Sequence, residues 1–167
     1  ITLDACPEAI YVPAHIWTPH FSLFGAFSGF DTIEECYEEL TPQVHALETG
    51  LSSDPSMNRR LSALDSFHLI SNSDAHSPAK LGREANLFDI PMSYDGLYGA
   101  IQRGEGLAGT IEFFPEEGKY HFDGHRKCHL CLSPSQARQY NGICPVCGKK
   151  LTTGVLHRIE QLADRQE

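Results

Sequence analysis

The sequence lacks several features, and each absence narrows what the chain is expected to be. In 167 residues there is no apolar run near the ~20 residues that a membrane-spanning helix needs. No basic segment leads into an apolar stretch at the start, so a secretion leader is not expected and a cytoplasmic location is. There is no internal repeat and no low-complexity tract, which argues against a solenoid or a disordered tail. The chain opens Ile1-Thr2-Leu3-Asp4 without methionine, so a piece of a longer polypeptide is expected. One local absence says more. From Gly124 to Ile159 there is no Asp or Glu, while Arg126, Lys127, Arg138, Lys149, Lys150 and Arg158 give a formal charge of +6. The total is −9, which leaves −15 on the rest. An acidic body suits cations and a basic appendage suits phosphates; a solvated module without a partner is the plainer alternative.

With 41% hydrophobic residues the chain can bury one core and a small satellite. Ile10–Trp17 reads as a buried strand, with Pro13 favouring an edge position. Phe21–Phe30, rich in Phe and Gly, reads as a packed loop. Asp31 is the expected N-cap of a helix Thr32–Leu40. Val44–Leu51 reads as a strand, and a helix starts at Asp54-Pro55 and runs to about Leu64. Phe67–Ser73 reads as a strand, Lys80–Phe88 as irregular or briefly helical, and Tyr94–Arg103 as a helix stopped by Gly104. Leu107–Phe114 and Lys119–Phe122 flank Pro115-Glu116-Glu117-Gly118 and suggest a hairpin. Val155–Arg165 reads as a terminal helix. Strands alternating with helices point to an α/β fold with parallel strands. A domain break is expected near Asp123-Gly124, giving a body 1–123, a small module 124–151 and a helical end 152–167.

Cys128-x2-Cys131 and Cys144-x2-Cys147 are expected to place four thiolates around a structural zinc ion. Zinc is favoured because thiolates are soft ligands, and four of them leave no open position for catalysis. The module is too small to bury a core of its own, so the metal stands in for one. Cys6 and Cys36 lie outside the pattern and read as free buried thiols. His121, His125 and His129 flank the module and are not expected as ligands.

Asp74 and His76 follow the apolar run Phe67-His68-Leu69-Ile70 and lie two apart, so on extended backbone both point to one side. His15 and Glu48 also sit at strand ends. Three successive strands each ending in a metal-type residue suggest a catalytic cation site, with Asp74, His76 and Glu48 catalytic and His15, Asp74 and His76 as ligands. Ser71, Asn72 and Ser73 are positioned to orient these ligands. His20, Arg83, Arg126 and Lys127 are candidate phosphate contacts. His45 and His68 lie on strand bodies and read as structural.

The stretches PAHIWTPH, ALETGLSSD, SNSDAHSPAKLGREAN, TIEFFPEEGKYHFDGHRKC and CPVCGKKLTTGVLHRIEQLADR together resemble the PHP phosphoesterase family, in its endonuclease Q-like branch. The resemblance covers nearly the whole chain from Ala5. It implies the later part of a distorted β/α barrel, a zinc-ribbon-like module and a helical extension. It also implies metal-dependent hydrolysis of DNA on the 5′ side of a deaminated base or an abasic site, using Zn²⁺, Mn²⁺ or Mg²⁺. His15, Asp74 and His76 match the family's ligands by position, and Glu48 matches an acid near the site. The family's first His-x-His motif has no counterpart here. A missing barrel half or a second chain is therefore an expected partner, together with DNA, and an uncovered strand edge is expected. Two other functions fit less well: a PHP phosphatase for a small phosphorylated metabolite, and a non-catalytic zinc module that grips nucleic acid.

Overall fold

The structure is a computed structural model and describes residues 1–166. Its main core forms around Trp17 and Phe24, whose rings lie 5.0 Å apart, with Ile16, Ile33, Leu47 and Leu61 packed about them. The indole Nε1–H of Trp17 donates to Asn58 Oδ1 at 2.6 Å, so this large side chain is buried without leaving its one polar atom unpaired.

The elements in chain order are α1 (Thr2–Ala5), α2 (Ile33–Tyr37), β1 (Ala46–Glu48), α3 (Pro55–Asn58), β2 (His68–Ile70), β3 (Ala85–Phe88), α4 (Tyr94–Arg103), β4 (Leu107–Ile111), β5 (Asp123–His125), β6 (Leu130–Leu132), α5 (Pro134–Gln139) and α6 (Val155–Leu162). They make three two-stranded sheets. β1 and β2 are parallel, with Ala46 opposite His68 and Glu48 opposite Ile70. Both β3–β4 and β5–β6 are antiparallel. The mixed α/β class is as expected; within the described residues the sheets do not form a barrel wall.

Several elements differ from expectation, each for a local reason. Ile10–Trp17 is not a strand, because Pro13 has no N–H and His15 turns the chain with φ 34°. The segment still runs beside β1: Glu48 N–H donates to Pro13 O at 3.0 Å and Ile16 N–H to Glu48 O at 2.9 Å. The cap of α2 is Thr32, not Asp31, since Thr32 and Glu35 form a reciprocal capping box. That helix stops at Tyr37 and a 3₁₀ turn over Glu38–Gln43 follows. Asp54 caps α3 by accepting from Met57 N–H, with Pro55 at the first position, but the helix ends at Asn58. Lys80–Phe88 contains β3, whose partner is β4; the expected hairpin across Pro115–Gly118 is replaced by a 3₁₀ turn over Pro115–Glu117. The helix α4 matches its expected range, capped by Ser93 and closed by Gly104 at φ 73°.

α6 returns from the cysteine module to the body. Val155 and Ile159 are buried in the main core, and Arg158 donates to the carbonyls of Phe24 and Phe30 and pairs with Asp31. Asp123 joins the module to this helix, accepting from Gly154 N–H and from the His157 ring, each at 2.6 Å. The module has its own small core of Leu132, Ala137, Cys144 and Leu151.

Candidate metal centre and nucleic-acid interface

Within the module, ligand atoms of His125, Cys128, Cys144 and Cys147 all lie within 4.8 Å of one another. This differs from the expected set. Cys131 lies outside the group, and His125 takes the fourth place. Strand alternation supplies the reason. Cys131 is the middle residue of β6, and its neighbours Leu130 and Leu132 both face the module core that contains Cys128 and Cys144. Successive residues on a strand face opposite sides, so Cys131 points away and is exposed. His125, opposite Leu130 at the end of β5, places its Nδ1 3.5 Å from Cys147 Sγ.

The second knuckle is shaped around the Cys144 sulfur. Gly148 N–H donates to Cys144 O at 2.8 Å, with Gly148 at φ 71° where a side chain would be strained. Burial pushes the Cys144 thiol up, but main-chain N–H groups of Cys147 and Val146 outweigh it and hold the thiol below its ordinary value. A hydrogen bond with the Cys147 side chain, and then burial, push the Cys128 thiol up to about 11. Three sulfurs and one imidazole nitrogen gathered this closely are the donor set of a closed tetrahedral zinc site, and they fit such an ion.

The expected catalytic residues are arranged differently. Among the described residues, the module is the only group of three or more His, Cys, Asp or Glu ligand atoms gathered closely enough to hold a metal. His15, Asp74 and His76 are not gathered into such a group among the described residues. β2 ends at Ile70, and Asp74 has φ 45°, so the extended backbone that would align Asp74 with His76 is absent. His76 instead directs Nδ1 to Asp74 O at 2.9 Å, and both side chains are exposed. His15 is half-buried, its Nδ1 3.2 Å from Thr18 Oγ1.

Glu48 is 6% exposed. One carboxylate oxygen accepts from His15 N–H and the other from Gly50 N–H at 2.9 Å and Asn72 N–H at 3.2 Å. It fixes the backbone of three segments, which is a positioning role. Arg83 likewise donates Nε–H to Ser73 O at 2.7 Å and holds the loop that carries Asp74. His20 lies face to face on Phe27 at 4.7 Å and 5°. Of the six cationic residues in the acid-free stretch, Arg158 is inward and Arg138 pairs with Glu160 at 2.8 Å. Arg126, Lys127, Lys149 and Lys150 remain exposed.

Sequence reading missed Glu84. It is 3% exposed, and its carboxyl is bonded to the Ser71 hydroxyl. Extending the β3–β4 register places it opposite Glu112, a like-charge neighbour. Burial foremost, then Glu112 and Glu48 against the Ser71 bond, push Glu84 up to about 7, and burial also raises Glu112. Each has one buried oxygen without a hydrogen-bond partner.

No protein-family model matches the chain. It is 35% identical over 156 residues to the uncharacterized protein MJ0043 of Methanocaldococcus jannaschii, covering 89% of this chain and 19% of that one. It is 32% identical over 162 residues to the uncharacterized protein YqxK of Bacillus subtilis, covering 95% and 40%. The crystal structure of the lesion-specific endonuclease PfuEndoQ from Pyrococcus furiosus overlaps 93% of this chain and 39% of its own, with a TM-score of 0.77 at 33% identity. An endonuclease Q complex with a 27-mer duplex, carrying an abasic lesion at its active site, overlaps 93% and 40%, with a TM-score of 0.81 at 32% identity. The chain thus spans two fifths or less of these relatives, and over that span its fold is endonuclease Q-like.

Proposed function

We propose that this chain is part of a DNA repair endonuclease that cleaves a strand on the 5′ side of a deaminated base or an abasic site. The observation that carries this reading is the overlap, across 93% of the chain, with an endonuclease Q bound to a duplex with an abasic lesion. The charge distribution agrees with it. Arg126, Lys127, Lys149 and Lys150 are exposed in a stretch without Asp or Glu on an otherwise acidic molecule, and are suited to the phosphates of a strand.

The PHP assignment and the metals belong to the same proposal. His125, Cys128, Cys144 and Cys147 hold a structural zinc that adds to the module's small apolar core. Asp74, His76 and His15 are this chain's contribution to a divalent-cation centre of Mg²⁺, Mn²⁺ or Zn²⁺ whose remaining ligands come from outside it. When bound, such ions activate water and neutralise charge on the scissile phosphate. The residues of this chain position that centre: Glu48 clamps the His15 and Asn72 backbones, and Arg83 clamps Ser73.

The test compares, for the complete protein, strand cleavage of a duplex with one abasic site and hydrolysis of a small phosphomonoester. Cleavage of the duplex alone, lost on Asp74→Asn while the zinc content stays unchanged, supports the proposal. Phosphomonoester hydrolysis without strand cleavage would point to the metabolite phosphatase. Zinc-dependent DNA binding that is unaffected by Asp74→Asn, with no hydrolysis of either substrate, would point to a binding module.

A further inference from the structure

We propose that Asn86 of β3 is a positioning residue for the candidate cation centre. Its side-chain amide stands in for a neighbouring peptide group, extends β2 by one residue and so sets the backbone that leads into Asp74. The inference rests on the metal-dependent endonuclease reading above and adds one residue to it.

β2 ends at Ile70, and the next residue, Ser71, is fully buried. Its N–H and C=O therefore need partners away from water. One side chain supplies both. Ser71 N–H donates to Asn86 Oδ1 at 2.9 Å, and Asn86 Nδ2 donates to Ser71 O at 3.0 Å. A neighbouring strand makes the same exchange through its backbone. A carboxamide can copy it because one carbon carries both an acceptor oxygen and N–H donors; a carboxylate has no donor. The second Nδ2 hydrogen goes to Asn72 Oδ1 at 3.0 Å. The amide thus ties the β3–β4 sheet to the end of the β1–β2 sheet, which are otherwise separate.

The consequence falls on Asp74. The three residues before it are each held from outside the loop. Ser71 is held by Asn86 and, through its hydroxyl, by Glu84. Asn72 is held by Asn86 and by Glu48, and Ser73 by Arg83. Glu84 and Asn86 lie two apart, so both reach Ser71 from one face of their strand. Asp74 then turns at φ 45°, a region that a residue other than glycine keeps when its neighbours impose it. His76 in turn directs Nδ1 to Asp74 O at 2.9 Å, so the path of Ser71 bears on both candidate ligands. Asn86 is only half-buried, and its contribution lies in the amide more than in packing.

The test uses the complete protein and reads both cleavage of an abasic duplex and Mn²⁺ binding by calorimetry. Asn86→Asp has nearly the same shape and keeps the oxygen that accepts from Ser71 N–H, but offers no donor to Ser71 O. It is expected to lower kcat about tenfold, to leave KM for the duplex within about twofold and to weaken Mn²⁺ binding about tenfold. Asn86→Gln keeps an amide and is expected to lose less of both. Leu87→Ser, on the exposed side of the same strand, is expected to change neither. Wild-type kcat and Mn²⁺ affinity in Asn86→Asp would overturn the inference and leave the endonuclease reading standing. Equal losses in Asn86→Asp and Leu87→Ser, with equally lowered thermal midpoints, would make Asn86 a packing residue of β3 and also overturn it. Absence of cleavage by the wild type would overturn the endonuclease reading; the inference then holds only if Asn86→Asp still weakens Mn²⁺ binding.

Discussion

Glu48 concentrates more backbone order than any other side chain near the candidate site. Its carboxylate accepts N–H groups from His15, Gly50 and Asn72, and so joins the end of β1 to the two segments that carry the candidate ligands. Hydrogen bonds to a charged group are each worth about 1.5–3 kcal/mol, and the orphaned N–H groups are only partly exposed. Glu48→Ala is therefore expected to cost about 3 kcal/mol in urea denaturation, and Glu48→Gln distinctly less, because it keeps one accepting oxygen. Glu84 gives a pH signature. Its carboxyl is pushed from an ordinary 4.5 to about 7, foremost by burial. A carboxyl that holds its proton more tightly when folded contributes stability that is complete below the unfolded value. That contribution is lost as pH rises through the folded one, so stability falls between about pH 4.5 and pH 7. Glu84→Gln is expected to flatten that fall, by on the order of 2 kcal/mol between pH 5 and pH 8. Sequence pointed to Glu48 as important but not to its partners, because a strand-end acid reads alike whether it faces a cation or its own backbone. Asp74 was legible as a polar strand exit, whereas its left-handed φ was not.

At the scale of elements, the cysteine spacing located the zinc module and left its ligand set open. Two Cys-x2-Cys pairs are a strong metal signal, but which residues converge depends on the face that β6 turns toward the module core. Cys131→Ser is expected to retain about one zinc per chain, whereas His125→Ala and Cys144→Ser should lose it, as measured by metal analysis after dialysis. Zinc loss from Cys131→Ser with retention by His125→Ala would restore the four-cysteine set. The seam between module and body is a second test. Asp123 is 1% exposed and holds both Gly154 and His157. Asp123→Ala is expected to cost about 3 kcal/mol while leaving zinc bound, because it strands a buried partner. α4 was readable to the residue, with Gly104 as its stop, and β3 was not. β3 pairs across α4 with β4, and Gly82, Arg83 and Glu84 hide it behind residues that usually mark loops.

For the whole molecule, charge segregation is the property most legible in sequence and most useful in function. On the proposed DNA-binding reading, a body 1–123 of formal −13 would repel a strand, and the exposed Arg126, Lys127, Lys149 and Lys150 of the module would receive it. Arg126→Ala and Lys127→Ala are each expected to lower the salt dependence of DNA binding by about 0.9 in the slope of log affinity against log salt, if each meets one phosphate. Arg138→Ala, whose guanidinium is engaged with Glu160, should leave the slope unchanged. Composition alone does not separate these arginines. The ion pair does.

The most direct measurement of the central claim is the position of the nick. A duplex carrying one abasic site, end-labelled on the damaged strand, is incubated with the complete protein and Mg²⁺ or Mn²⁺. The products are sized on a denaturing gel. A single cut immediately 5′ of the lesion, absent from the undamaged duplex and lost on Asp74→Asn, is the expected result. Cutting at random, equal cutting of undamaged DNA, or undiminished cutting by Asp74→Asn would contradict it.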